Sequence, residues 1–190
     1  MNGLLFAFVL ALLAGIGARD QMTVAALSAG LGRHAGLLLV ALATAALACA
    51  AAAWAAGEMA PVLGEGLRLP VASFAMVAAG LESLLLGPRR APKEPTRSLS
   101  AAAIVLLADQ ILDAARFLVL AMALVTHSPA ACAVGGALAS AAVLGLAWLE
   151  GGRVLGARRL LRRLRLAAGA VLLLAGGLLG AWVAGWIGGP

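Results

Sequence analysis

Long apolar runs, separated by short polar breaks, recur along this chain of 190 residues. The runs consist of uninterrupted Leu, Ala, Val and Gly, whereas the strands of a membrane barrel alternate apolar and polar positions. A helix of about 20 apolar residues is long enough to cross a hydrocarbon core of about 30 Å. The pattern therefore predicts six transmembrane helices, at about 3–31, 36–56, 70–87, 99–126, 130–149 and 167–187.

Composition favours an all-α integral membrane protein. Hydrophobic residues make up 64% of the chain and charged residues 12%, and the mean hydropathy is +1.06. The net charge of +6 does not indicate a nucleic-acid partner, because most basic residues lie in short loops between apolar runs. Cys49 and Cys132 lie far apart, there is no CxxC motif, and no recognisable motif joins Ser, His and Asp. We therefore expect neither an enzyme nor a cofactor.

The basic residues predict how the chain is oriented. The loops after the second and fourth predicted spans hold Arg68 alone, whereas the first, third and fifth loops hold Arg33, Arg89, Arg90, Lys93, Arg97, Arg153, Arg158, Arg159, Arg162, Arg163 and Arg165. Because basic loops stay in the cytoplasm, both termini are expected outside, in a bacterial inner membrane. The basic, amphipathic stretch 156–166 is expected to fix this orientation or to contact anionic lipid headgroups.

A basic loop at 88–98 divides the chain into two halves, 1–87 and 99–190, of three predicted spans each. Short segments correspond between the halves, such as "AAAWAAGE" at 51–58 and "LGLAWLEG" at 144–151. Because three is odd, a second copy enters the bilayer in the opposite direction. Inverted repeats of this kind are a transporter architecture, with the site near the bilayer midplane between the copies. The sequence therefore predicts two inverted three-helix repeats.

The first predicted span of each half is unusually long and carries polar residues near its middle. These residues are Arg19, Asp20, Gln21 and Thr23 in the first span, and Asp109, Gln110, Asp113 and Arg116 in the fourth. Matched interruptions of two helices are typical of the substrate sites of secondary transporters. We therefore expect the carboxylates, amides and hydroxyl to bind an ion or a proton, with the two arginines as their charge partners.

The acidic residues of the fourth span are spaced for a common helix face. Asp109, Asp113 and Arg116 follow one another at intervals of four and three residues, so a continuous helix carries them together. A charge at the bilayer centre costs at least about 3 kcal/mol, so such residues pair or face a cavity. Asp113 and Arg116 can pair within the helix, and Asp109 either pairs with Arg19 or titrates. Two interpretations stay open: ion pairs that only hold the halves together, and a cation or proton site.

The segment "GIGARDQMTVAALSAGLGRH" at 15–34 resembles a known family motif, E-x-G-D-[KR]-[ST]-Q. The motif belongs to the Gdt-type membrane proteins (uncharacterised protein family sixteen), in a superfamily of calcium and manganese cation/proton exchangers. In that family it lies in the first helix of each of two inverted three-helix repeats. Gly17, Arg19 and Gln21 match its Gly, basic residue and Gln, whereas Gly15 and Ala18 replace its Glu and Asp. The resemblance implies a secondary transporter that exchanges a metal cation for protons.

The second copy of the motif departs further from the family pattern. With Asp113 at the motif's Asp, Gln110 stands at the Glu position, Leu112 at the Gly and Arg116 at the Gln. Only one of the family's motif carboxylates is therefore kept. If a metal ion binds, Asp113 is its expected ligand, together with the offset Asp109.

The charge of the candidate site qualifies what the resemblance implies. Asp20, Asp109 and Asp113 contribute −3, and Arg19 and Arg116 return +2, so the net charge is about −1. A hard divalent cation prefers several oxygen ligands with a larger negative charge. The residues therefore favour a monovalent ion, a proton or an amphoteric solute. The alternatives to a cation/proton exchanger are an exporter of a small amphoteric solute and a non-transporting membrane scaffold or partner subunit.

Overall fold

The computed structural model describes residues 2–85, 98–111 and 113–187, and the regular structure in these ranges is entirely helical. The helices are α1 Asn2–Gly15, α2 Arg19–Leu31, α3 Ala35–Leu63, α4 Arg68–Leu85, α5 Leu99–Ile111, α6 Ala114–Thr126, α7 Pro129–Leu149, α8 Gly151–Gly156 and α9 Arg158–Val183, with a 3-10 turn at Glu65–Leu67. The predicted all-helical fold is confirmed. The basic loop predicted at 88–98 lies, except for Ser98, outside the described residues, as does Leu112.

In the described part of the chain, four helices are long and apolar enough to cross a membrane: α3, α4 with the turn before it, α7 and α9. A fifth span results if α1 and α2, which are bent by 63° at a short break, count as one. Helices α5 and α6 are apolar but shorter than a bilayer requires. The described residues therefore support four or five of the six predicted spans, and the sixth stays a prediction.

The distribution of side-chain sizes fits a membrane protein. The interior is built largely from alanine, with Leu118 and Leu172 among its few large side chains. Large apolar residues instead point outward, including Trp54, Phe74 and Val62, which is 87% exposed. In water an apolar exterior of this extent would be unfavourable, whereas lipid is its natural solvent.

Two predicted spans are interrupted, as the sequence indicates. Helix α1 ends at Gly15 and α2 begins at Arg19, with Gly17 between them at a φ of 70°, a conformation that glycine adopts without strain. Helix α5 ends at Ile111 and α6 begins after Asp113. The expectation that a continuous helix places all three charged residues of this span on one face is therefore wrong, because the break separates Asp109 from Asp113 and Arg116.

The turns between helices gather at two ends of the bundle. At one end the Trp148 indole N–H donates a hydrogen bond to the carbonyl of His34 at 3.1 Å, which joins the turn before α3 to the end of α7. At the other end the Arg68 guanidinium contacts the His127 ring at 2.7 Å, which joins the start of α4 to the turn after α6. Among the described residues, the turn before α3 and the end of α7 thus lie at one end, and the start of α4 and the turn after α6 lie at the other. Which end faces the cytoplasm stays a prediction.

Glycines allow α4 and α9 to pack closely. A Cβ added to Gly80 would lie 2.7 Å from the backbone nitrogen of Leu173, and one added to Gly176 would lie 2.8 Å from the Cβ of Met76. The Ser73 hydroxyl donates a hydrogen bond to the Gly176 carbonyl at 2.9 Å across the same seam. Because α4 and α9 belong to different predicted halves, the two halves are in tight contact through this pair.

Candidate functional site

The first turn of α2 begins at the break inside the bundle. Gly17 donates its backbone N–H to the Gln21 side-chain oxygen at 2.7 Å, so Gln21 satisfies a backbone donor that the break leaves unpaired. Asp20 accepts a hydrogen bond from the backbone N–H of Gln21 at 2.7 Å. The Thr23 hydroxyl donates to the Arg19 carbonyl at 2.9 Å, within its own helix. Of these residues, Asp20 has a second carboxylate oxygen directed away from α2.

The first turn of α6 is built in a related way. Asp113 is the N-cap residue, and its side chain accepts a hydrogen bond from the backbone N–H of Ala115 at 3.4 Å. Acidic residues are favoured at this position because the N-terminal end of a helix carries partial positive charge. Arg116 follows in the same turn, and its Nη1 lies 3.8 Å from Asp113 Oδ2. The predicted pairing of Asp113 with Arg116 is therefore present.

The two breaks meet in one buried group of side chains, hereafter the polar cluster: Asp20, Gln110, Asp113 and Arg116. Arg116 Nη2 lies 3.9 Å from Asp20 Oδ2, and Gln110 donates its amide N–H to the same oxygen at 3.5 Å. Gln110 is fully buried, and Arg116 is only 4% exposed. The cluster joins α2 of the first half to α5 and α6 of the second half.

The polar cluster contains hydrogen-bonding groups that its members do not use. Arg116 Nε and Nη2 and Gln110 Oε1 are buried and have no hydrogen-bond partner among the described residues. The contacts of Arg116 with Asp20 and Asp113, at 3.9 and 3.8 Å, are longer than the roughly 2.7–2.9 Å of a charge-assisted hydrogen bond. Buried polar groups are normally satisfied. The cluster therefore has both the charge and the unused donors and acceptor to bind a small polar species.

An alanine-lined cavity leads to Arg116. It has a volume of about 200 Å³ and lies between α3, α5 and α6. Its lining residues are Ala48, Ala51, Ala52, Ala55, Ile111, Arg116, Phe117 and Leu120. Arg116 is the charged residue among them, so this otherwise apolar cavity borders the polar cluster at the guanidinium.

A second ion pair, between a buried arginine and a partly buried glutamate, lies at the first break. Arg165 of α9 is 4% exposed, its Nη2 lies 3.7 Å from Glu82 of α4, and its Nη1 donates to the backbone carbonyl of Ile16 at 3.4 Å. It thereby satisfies a carbonyl that the end of α1 leaves open. The predicted placement of Arg165 in the fifth loop is therefore wrong, because α9 begins at Arg158 and carries this residue into the bundle.

Helical periodicity provides a signal for this buried arginine. On α9 the buried residues are Arg165, Ala168, Gly169, Leu172 and Gly176, which recur at intervals of three and four. That stripe is the face packed against α4. An average over the arginine-rich segment hides it, since the neighbouring arginines are exposed.

The remaining predicted site residues have other surroundings. Asp109 is partly buried on α5, before the break, and Arg19 is partly buried at the first residue of α2. Gln21 and Thr23 form the local hydrogen bonds given above. Within the described ranges, no group of three or more His, Cys, Asp and Glu side chains is placed to hold a metal ion. Metal ligation by Asp113 and Asp109 stays a prediction.

Comparisons of the chain with known protein families, with curated proteins and with solved structures find no significant match.

Proposed function

We propose that this chain is a secondary transporter of the cation/proton exchanger type, a divergent relative of the Gdt-type proteins with an altered substrate. The observation that carries the proposal is the meeting of two interrupted helices at one buried group of charges. Discontinuous helices are the usual source of substrate sites in such transporters. Ionisable residues buried within a membrane are most often functional, because their insertion is costly.

The positions of the breaks support the likeness to the Gdt-type motif. Aligning the motif with the first span puts its Asp position on Ala18, and aligning it with the fourth span puts the same position on Asp113. Ala18 is the N-cap residue of α2 and Asp113 the N-cap residue of α6. In both spans, the helix after the break therefore has its N-cap at the Asp position of the motif, as expected for two copies of one structural unit.

Six spans in two inverted repeats follow from this proposal. The turn before α3 meets the end of α7 at one end of the bundle, and the start of α4 meets the turn after α6 at the other. This separation supports six crossings, with α1–α2 and α5–α6 each counted as one interrupted span. The excess of basic residues in the odd loops supports a cytoplasmic location for them and an external location for both termini. A bacterial inner membrane is the proposed location.

The polar cluster suggests a mechanism in which Arg116 competes with the transported cation. Asp20 and Asp113 share Arg116 as their counter-ion when no cation is bound. A cation or proton that neutralises one carboxylate weakens the attraction between that carboxylate and Arg116. Arg116 then leaves its position between the two aspartates, and the transporter changes to its next conformation. Two carboxylates with one arginine carry a formal charge of −1, which favours a monovalent cation or proton over a divalent ion.

The test uses purified protein in liposomes with a trapped pH-sensitive dye. Na⁺, K⁺, Ca²⁺ or Mn²⁺ is added outside, and proton movement is recorded for wild type, Asp113→Asn and Glu58→Gln. Glu58 is an exposed acid of α3, so its variant removes the same charge away from the cluster. We expect cation-driven proton flux in wild type and Glu58→Gln, and the background rate of empty liposomes in Asp113→Asn.

Absence of flux with every cation, from protein that remains folded, would reject the exchanger proposal. Equal loss in both variants would show that the polar cluster has no special role. Proton flux driven only by Ca²⁺ or Mn²⁺ would show that the protein transports the family's divalent cations. The proposal of an altered substrate would then be rejected.

A second candidate is an exporter of a small amphoteric solute. It is favoured by the Arg116 nitrogens that have no hydrogen-bond partner among the described residues, and by the two helix N-termini, which attract a carboxylate. Gln110 Oε1 and the aspartates suit an ammonium group. Counterflow of labelled zwitterionic amino acids in the same liposomes tests it. Uptake lost in Arg116→Gln and kept in Arg153→Gln, an exposed arginine of α8, would support this candidate. Failure of both assays would leave the non-transporting scaffold as the better proposal.

A further inference from the structure

A cavity lined by four arginines lies where the start of α9 meets the end of α4. Its volume is about 350 Å³. The lining residues are Ser83, Leu84, Leu85, Arg158, Arg159, Arg162, Arg165 and Leu166, and we call this cavity the arginine pocket. It is separate from the polar cluster, with which it shares no residue.

The charge of the arginine pocket is one-sided. In the described part of the chain, no acidic side chain contributes to its lining. Arg158, Arg162 and Arg165 are spaced four and three residues apart, so they lie on the same face of α9. Glu82 holds Arg165 from the other side, at 3.7 Å. Like charges gathered on one face repel one another, and an anion bound between them removes that cost.

The chemistry of the lining selects the class of anion. Guanidinium groups form pairs of parallel hydrogen bonds with phosphate oxygens, and arginine is the usual residue where a phosphate is recognised. Leu84, Leu85 and Leu166 supply apolar surface directly beside the charges. A phosphate with hydrocarbon attached satisfies both parts of this surface, whereas inorganic phosphate satisfies only the charged part. We infer that the arginine pocket binds the phosphate headgroup of an anionic phospholipid.

Binding here has a structural consequence through Arg165. This residue lines the pocket and also donates to the Ile16 carbonyl at the end of α1. A phosphate in the pocket therefore places a second anion, in addition to Glu82, beside Arg165, the residue that binds the backbone at the first break. The bound lipid is expected to stabilise the folded protein, since a ligand that binds only the folded state raises its unfolding temperature.

The experiment measures lipid binding without any transport assay, so its outcome is independent of the proposed function. Purified protein in neutral detergent is mixed with phosphatidylglycerol, with phosphatidylcholine, or with inorganic phosphate. Bound lipid is counted by native mass spectrometry and the unfolding temperature is recorded. Work at high salt reduces the general attraction between basic loops and anionic micelles, because exposed charges are screened there.

The variants separate the pocket from general surface charge. Arg158→Gln/Arg162→Gln removes two pocket arginines that are exposed, so folding should be kept. The control Arg153→Gln/Arg163→Gln removes two exposed arginines from the same end that do not line the pocket. We expect phosphatidylglycerol affinity to fall on the order of tenfold in the first variant and about threefold or less in the control.

Three results would overturn the inference. Equal losses in the two double variants would show general surface attraction. Stabilisation by inorganic phosphate equal to that by phosphatidylglycerol would show a site for the free anion. No preference for phosphatidylglycerol over phosphatidylcholine would show that the pocket does not recognise an anionic headgroup.

Discussion

At the scale of single residues, Arg116 determines whether the polar cluster is tolerated. It is buried between Asp20 and Asp113 and makes only long contacts with both. Buried ion pairs contribute little net stability compared with apolar residues, yet removal of one partner leaves an unpaired charge in a medium that solvates it poorly. The arginine is therefore needed as long as the carboxylates are present.

Replacing Arg116 by methionine is expected to lower the free energy of unfolding by about 3–5 kcal/mol, because two aspartates lose their counter-ion. The triple variant Arg116→Met, Asp20→Asn and Asp113→Asn is expected to recover most of that loss. Unfolding temperatures in detergent measure both. Arg153→Met serves as the control, since its pair with Glu150 is exposed and contributes at most about 1 kcal/mol. A single variant as stable as wild type would contradict this account of the cluster.

At the scale of elements, the first break depends on backbone conformation as well as on charge. Gly17 adopts a left-handed φ, Gln21 accepts its N–H, and Arg165 binds the carbonyl just before it. A side chain thus satisfies one backbone group on each side of the break: Gln21 accepts from the Gly17 N–H, and Arg165 donates to the Ile16 carbonyl. Such an arrangement is stable only while the central residue tolerates a positive φ.

Gly17→Ala is expected to destabilise the protein by about 1–2 kcal/mol, because an L-residue is strained in this conformation. The added Cβ itself meets Arg165 Cδ at an acceptable 3.4 Å, so the cost comes from the backbone. Gly177→Ala on the exposed face of α9 is the matched control, with open space around the new methyl group. It should be neutral or stabilising by about 1 kcal/mol. Equal changes of unfolding temperature in Gly17→Ala and Gly177→Ala would contradict the proposed backbone strain at position 17.

At the scale of the whole molecule, the arrangement of the loops predicts which residues a reagent outside the cell reaches. Glu65 and Arg153 lie at opposite ends of the bundle, with side chains 88% and 85% exposed. Native Cys49 and Cys132 are buried, so they contribute little background labelling.

A membrane-impermeant maleimide added to intact cells is expected to label Glu65→Cys, while Arg153→Cys reacts only after permeabilisation. The physical reason is the retention of arginine-rich loops in the cytoplasm. Wild-type protein provides the background. The reverse pattern would invert the proposed orientation, and labelling of both residues from outside would contradict an odd number of crossings between them.

The sequence was sufficient for those features that depend on local pattern. Long apolar runs predicted the helices, and polar residues inside two of them predicted interruptions that the structure confirms. It was not sufficient where three-dimensional packing decides. Arg165 belongs to a run of arginines, and an average over that run hides the helical stripe that packs it against α4. The common face of Asp109 and Asp113 assumed a continuous helix, and the end of α5 before Asp113 removes that geometry.

The formal charge of the polar cluster has a consequence for how membrane voltage acts on the protein. With Asp20, Asp113 and Arg116 ionised, the empty cluster carries −1, and a bound monovalent cation brings it to zero. An elementary charge that crosses a potential of 100 mV changes its energy by about 2.3 kcal/mol. In the proposed exchanger, a cluster that carries either the monovalent cation or the proton is neutral, so the membrane potential acts only on a crossing of the empty, negatively charged cluster.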